Sequence, residues 1–174
     1  VADPDSPKAV IGPGTGLGVS GLIPRRDAAG ARHWISLSGE GGHVSFAPTS
    51  ELEIALLRFL TRDRDRASVE RVLCGEGLTN LYEFLAEQSG ESRRRPAPAE
   101  ITMLALARQD PLALQTLELF CAILGSVAGD LALTLGARGG VYFSSGPNAF
   151  VSAGIVHESY LDCQATIYRA CSET

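Results

Sequence analysis

The chain has 174 residues, 45% of them hydrophobic and 20% charged, which is enough to bury one substantial core and excludes disorder throughout. A formal net charge of -5 and a pI near 5.2 exclude a binder that neutralises nucleic-acid phosphates with a basic face, so small molecules or other proteins are the expected partners. No apolar run reads as a bilayer span, and residues 1–8 lack the charged start and apolar middle of a secretory signal, which makes the cytoplasm the expected compartment.

Residues 9–46 read as β structure, with strands expected at 9–12, 17–23, 33–37 and 44–46 between clusters rich in Gly, Pro and Asp. The short spacings favour an antiparallel meander, with a polar, solvent-exposed turn over 24–30. After Phe46 the period becomes helical. Ser50 followed by Glu53 fits a capping box, and Ile54, Leu56, Leu57 and Leu60 form an apolar stripe that ends in the charged run 61–66. A short helical turn is expected at 68–73, a longer helix at 78–86 and a loop at 88–99, whose Arg93, Arg94 and Arg95 read as a solvated tip. The clearest helix starts at Asp110-Pro111, a capping aspartate followed by a proline whose missing N–H would have been unpaired. Leu117, Phe120, Cys121, Leu124, Ala128 and Leu131 recur along one face, Gly125 and Gly129 predict close backbone packing, and Gly136 stops the helix. A strand is expected next, at 140–144. Cys74, Cys121, Cys163 and Cys171 show no Cys-x-x-Cys spacing and His33, His43 and His157 are scattered, so the cysteines are read as free thiols and no metal site is assigned.

Two segments carry candidate chemistry. Gly12-Pro13-Gly14-Thr15-Gly16-Leu17-Gly18 places glycines on alternate positions, where backbone N–H groups can approach one anion without a Cβ in the way and Thr15 adds a hydroxyl. From the glycines alone, a ligand-free hairpin turn is the simpler reading. Gly16-Leu17-Gly18-Val19-Ser20-Gly21 matches the dinucleotide fingerprint by letter, but that motif opens a helix, and Leu22-Ile23-Pro24 reads as strand and then turn; a Walker-type loop would need a lysine the segment lacks. In Gly39-Glu40-Gly41-Gly42-His43, the Glu40 carboxylate accepts and the His43 imidazole both donates and accepts, a pair suited to the hydroxyls of a polar ligand. Each hydrogen bond to such a carboxylate contributes about 1.5–3 kcal/mol. Taken singly, the simpler readings prevail: Glu40 is a surface charge in a glycine turn, His43 a partly buried histidine satisfied by backbone, and Glu70 a solvated helix residue or a partner for Arg71.

In this order the pieces resemble the bacterial glucokinase family of the hexokinase, actin-like ATPase superfamily. The resemblance runs over residues 9–144 through the glycine loop, Trp34-Ile35-Ser36-Leu37, Gly-Glu-Gly-Gly-His with Val44-Ser45-Phe46, Ser68-Val69-Glu70-Arg71-Val72-Leu73, Gly77-Leu78 with Asn80-Leu81-Tyr82, Glu100-Ile101-Thr102 and Gly139-Gly140-Val141-Tyr142. It implies an α/β fold of the actin-like ATPase, ribonuclease H-like type, present incompletely, with an antiparallel β-meander followed by helices. Residues 1–146 would be a large-domain segment, and 147–174 a C-terminal segment without assignment. The implied activity is ATP-dependent phosphorylation of glucose at its 6-hydroxyl, with Mg2+ accompanying ATP and an aspartate taking the hydroxyl proton. By the resemblance, Glu40, His43 and Glu70 take the positions that bind glucose, Gly14, Thr15 and Gly16 the second phosphate loop, and Gly146 a cofactor-binding glycine. It further implies a homodimer at full length, with no nucleic-acid or membrane partner.

The departures are equally specific. Neither the family's Asp-x-Gly-Gly-Thr-Asn loop nor its Asn-Asp catalytic pair occurs in the chain, so no residue is assigned as the general base and the chain alone is expected to be inactive. Glu76 stands where a small residue or proline is expected, adding a charge near the sugar-binding turn, and the adenosine-binding Gly-Gly-Ile is met only by Ser145-Gly146-Pro147 or Ala153-Gly154-Ile155. A non-catalytic sugar- or nucleotide-binding module is the alternative function.

Overall fold

The computed structural model describes residues 3–91 and 94–144. Strands β1 (Lys8–Pro13), β2 (Leu17–Arg26) and β3 (Arg32–Gly39) form the expected antiparallel meander, and β4 (Val141–Phe143) adds to β1 in parallel, giving the order β3-β2-β1-β4. In β1, Ala9, Ile11 and Pro13 are buried and alternate with half-buried residues, so one face of the sheet meets the helices. On the other face the Lys8 ammonium lies 4.5 Å from the centre of the Trp34 ring and 5.2 Å from that of Tyr142, cation–π contacts that reach from β1 across β2 to β3 on one side and to the adjacent β4 on the other.

Several expectations are corrected. The turn expected over 24–30 is shorter, because β2 continues to Arg26, opposite Arg32. Asp27 closes the hairpin by accepting the Ala29 and Ala31 N–H groups, both at 2.9 Å, which satisfies the tip locally and lets the strands pair up to it. Residues 44–46 do not form a strand. The preceding Gly41–His43 makes a 3-10 turn that carries the chain off the sheet, leaving a bridge between Ser45 and Ser68 flanked by Phe46 N–H to Ala67 O and Val69 N–H to Val44 O. The loop expected at 88–99 gives way at Pro98 to a helix whose apolar residues occupy no single stripe, so periodicity did not mark it.

Four α-helices follow the meander, α1 (Glu51–Leu60), α2 (Gly75–Gln88), α3 (Pro98–Leu106) and α4 (Pro111–Leu135), of which α4 packs on the sheet and α2 and α3 pack on α4. Local chemistry sets their ends. Ser50 Oγ accepts the Glu53 N–H at 3.2 Å, and the Glu53 carboxylate returns to Thr49 N–H at 2.9 Å. Asp110 Oδ1 accepts Leu112 N–H at 2.9 Å while Oδ2 accepts the Tyr82 hydroxyl at 2.8 Å, so one side chain both caps α4 and fastens it to α2. Gly136 ends α4 in the left-handed conformation with φ 57°. Helix α2 begins earlier than expected, capped by the Cys74 sulfur, which accepts Gly77 N–H at 3.3 Å.

Helix α4 has the length and apolar composition of a membrane span, contrary to the expectation that no run does, yet 56% of its most apolar window is buried within the protein. It packs against α2, α3 and β1. Leu117, Phe120 and Leu124 of α4 join Ile11, Leu56 and Phe84 in one hydrophobic cluster, each buried side chain of this size contributing about 1.5–3 kcal/mol. Gly125 is buried and Gly129 half-buried on the same helix, and Ala9, Ala132 and Ala137 form a small-residue contact between its C-terminal end and β1. Cys74 and Cys121 are buried free thiols; Arg93, Gly146, Cys163, Cys171 and the expected 147–174 segment lie outside the described residues.

Candidate functional site

The chain leaves β3 at Gly39 and turns sharply, and its path is set by Gly42. A Cβ at Gly42 would lie 2.3 Å from the Leu17 carbonyl oxygen, so the turn rests directly on the start of β2. This contact points Glu40 and His43 to the same rim, with His43 Nε2 3.7 Å from Glu40 Oε2. Arg66, from the charged run after α1, donates to the His43 carbonyl at 2.9 Å and holds the far end of the turn.

Glu70 arrives from the 3-10 turn Val69–Arg71, held to the same region by the Ser45–Ser68 bridge. Its Oε1 lies 3.9 Å from His43 Nδ1, so the imidazole has one carboxylate near each ring nitrogen. Both separations exceed hydrogen-bond length, which leaves the ring's donor and acceptor capacity uncommitted to either acid. The three side chains form a graded rim: Glu40 is 89% exposed, His43 57% and Glu70 31%. The simpler pairing of Glu70 with Arg71 does not form; the Arg71 Nε is instead buried without a hydrogen-bond partner among the described residues.

The glycine loop adjoins this rim through Glu70 itself, whose Oε2 accepts the Leu17 N–H at 2.8 Å. Within the loop, Gly14 N–H donates to Gly16 O at 2.7 Å, and Gly14 O accepts Gly75 N–H at 2.9 Å from the start of α2. The loop is thus anchored at both ends while Thr15 projects, exposed, from its tip. The added charge of Glu76 is met at the start of α2 by Arg95, at 2.6 Å, and Arg95 also reaches Glu83 at 3.3 Å. Arg94 pairs with Glu100, so these two arginines of the 93–95 run act as structural ties.

Sequence reasoning did not find the Leu17 N–H or Arg66. A backbone donor leaves no trace in residue identity, and Arg66 is one of several charges in a run that reads only as the end of the first helix. The three hydroxyl-binding candidates do not line the apolar cavity of ≈ 240 Å³ enclosed by residues such as Val19, Phe46, Ile123 and Val127; they stand on the open rim, where polar groups of a ligand can reach two carboxylates and an imidazole together.

The family model for glucokinase matches residues 1–160 of the chain. A glucokinase of Hahella chejuensis (strain KCTC 2396) is 55% identical over 139 residues, which are 80% of this chain and 42% of the relative. Among solved structures, a glucokinase from an Antarctic psychrotroph superposes with a TM-score of 0.81 at 35% identity, covering 94% of this chain and 49% of that one. A glucokinase from Balamuthia mandrillaris, solved in complex with glucose, gives a TM-score of 0.75 at 21% identity over 97% of this chain and 46% of that one, a likeness of fold. The shared architecture is that of actin-like sugar kinases, present in part; the chain spans about two fifths of the length of the curated relatives it matches.

Proposed function

The chain belongs to the glucokinase family, and from that premise we propose that it forms the sugar-contacting side and one phosphate loop of an ATP-dependent kinase that phosphorylates glucose at its 6-hydroxyl. The observation that carries this reading is the placement of His43 within 4 Å of both Glu40 and Glu70, two acids 30 residues apart in sequence, on a rim joined to the glycine loop.

In this proposal Glu40 and Glu70 accept hydrogen bonds from sugar hydroxyls and His43 donates to or accepts from a neighbouring hydroxyl. A ligand lacking one of those hydroxyls would leave a carboxylate lone pair unmatched, which is how such a rim discriminates among polyols. The Gly14-Thr15-Gly16 turn is proposed to face a nucleotide phosphate. Its Thr15 and Gly16 N–H groups have no acceptor among the described residues, whereas those of Gly14 and Leu17 are taken by Gly16 O and Glu70. Mg2+ is proposed to arrive on the nucleotide's phosphates, where it would neutralise charge during transfer; the described residues hold no cluster of three His, Cys, Asp or Glu side chains that would bind it unaided. Gly146, the general base, a cytoplasmic setting and a homodimer remain parts of the proposal carried by the family resemblance.

Replacing Glu40 with alanine tests the reading, because this exposed side chain has little part in the fold. Glucose titration by calorimetry should give an affinity about ten- to a hundredfold weaker, the equivalent of about 1.5–3 kcal/mol. Unchanged glucose affinity would remove Glu40 from the site.

A further inference from the structure

One carboxylate serves both halves of the candidate site. Glu70 Oε2 accepts the N–H of Leu17, the residue that closes the glycine turn, while Oε1 faces His43 Nδ1. A carboxylate is planar and rigid, so its oxygens turn together, and a hydroxyl drawn to Oε1 constrains the direction of Oε2. Leu17 is itself buried, with 6% exposure, and its carbonyl abuts Gly42 of the sugar-side turn, so Leu17 is held between the two segments.

We propose that Glu70 is a positioning residue that couples occupancy of the sugar rim to the geometry of the Gly14–Thr15–Gly16 loop. This inference rests on the reading of Glu40, His43 and Glu70 as a sugar site. A sugar hydroxyl on Oε1 fixes the carboxylate and, through Oε2, holds the Leu17 N–H and the loop behind it. By thermodynamic reciprocity, displacing the carboxylate from the loop side weakens sugar binding.

Gly16 supplies a probe that touches no other member of the rim. A Cβ built there lies 2.5 Å from Glu70 Oε2 and 3.3 Å from Glu70 Cδ, and the three nearest atoms to it all belong to Glu70. Gly16 does not adopt a positive φ, so alanine fits its backbone. The carboxylate is the free end of a flexible side chain, and Gly16→Ala therefore shifts Glu70 and spares the fold.

The experiment measures glucose affinity by calorimetry for the wild-type chain and for Gly16→Ala, together with hydrogen exchange at the Leu17 amide with and without glucose. The expected results are slower Leu17 exchange when glucose is bound, and for Gly16→Ala a glucose affinity about tenfold weaker, which is about 1.4 kcal/mol, with a near wild-type Tm. Wild-type chain that binds glucose while its Leu17 exchange stays unchanged overturns the coupling and leaves the sugar site standing, as does Gly16→Ala binding glucose normally with Leu17 exchange accelerated. Absence of glucose binding by the folded wild-type chain instead overturns the sugar site and the coupling with it. Should Gly16→Ala fail to fold, the wild-type exchange comparison decides by itself.

Discussion

The close approach of Gly42 to Leu17 makes a quantitative prediction for Gly42→Ala. The added methyl would lie 2.3 Å from the Leu17 carbonyl oxygen, 3.0 Å from Leu17 Cβ and 3.2 Å from its carbonyl carbon. An ordinary contact needs at least about 1 Å more room than the first of these, and backbone atoms have to supply it. Leu17 resists, since its N–H is held by Glu70 and its side chain lies in the core. The turn carrying Glu40 and His43 must therefore lift from β2, and His43 moves away from Glu70. Overpacking of this kind costs about 1–3 kcal/mol, or about 2–12 °C in Tm for a chain of this size, and the distorted rim should lose glucose affinity in step. Gly39→Ala is the internal control, because a Cβ at Gly39 meets nothing within 4 Å. Thermal unfolding and glucose titration of the two variants check the argument, and Gly42→Ala matching Gly39→Ala in both would refute it.

Asp110→Ala removes the cap of α4 and the acceptor of the Tyr82 hydroxyl at once; urea unfolding should show a loss of about 1–2 kcal/mol, whereas Tyr82→Phe should recover the smaller share. Burial pushes the Cys121 thiol up to about 11, with Glu118 adding to the effect. The unfolded thiol ionises near 9.0 while the folded one keeps its proton, so the folded state binds more protons across that interval. This contribution to stability is whole below pH 9 and is lost as pH rises from 9 to about 11, and Cys121→Ala should flatten that part of a stability–pH curve; an unchanged slope would refute the assignment to Cys121.

How much of the fold and the site was legible in the sequence depends on the range of each interaction. Ser50 with Glu53, Asp110 with Pro111, and Gly136 mark helix ends through contacts a few residues long, so their chemistry is visible in residue order. The β1–β2–β3 meander is similarly local. By contrast, β4 joins β1 in parallel across more than a hundred residues, a pairing that no local spacing encodes. Residues 44–46 have the apolar alternation of a strand, but Gly41 and Gly42 pressed against Val19 and Leu17 turn the chain off the sheet before they can pair. Helix α3 was hidden because apolar residues around its whole circumference leave no stripe to read. In the candidate site, Glu40 and His43 share one short turn and could be grouped from sequence, whereas Glu70 reaches them through a bridge at Ser68 and a bond to a backbone N–H 53 residues away. Only the family resemblance placed Glu70 with them in advance.

The most direct test is a crystal structure of the chain grown or soaked with glucose. The account predicts density for the sugar against the Gly41–His43 turn, with hydroxyls within hydrogen-bond distance of Glu40, His43 and Glu70 and with Glu70 Oε2 still on the Leu17 N–H. Glucose bound elsewhere, with none of these three side chains touching it, would contradict the assignment of the rim as a sugar site.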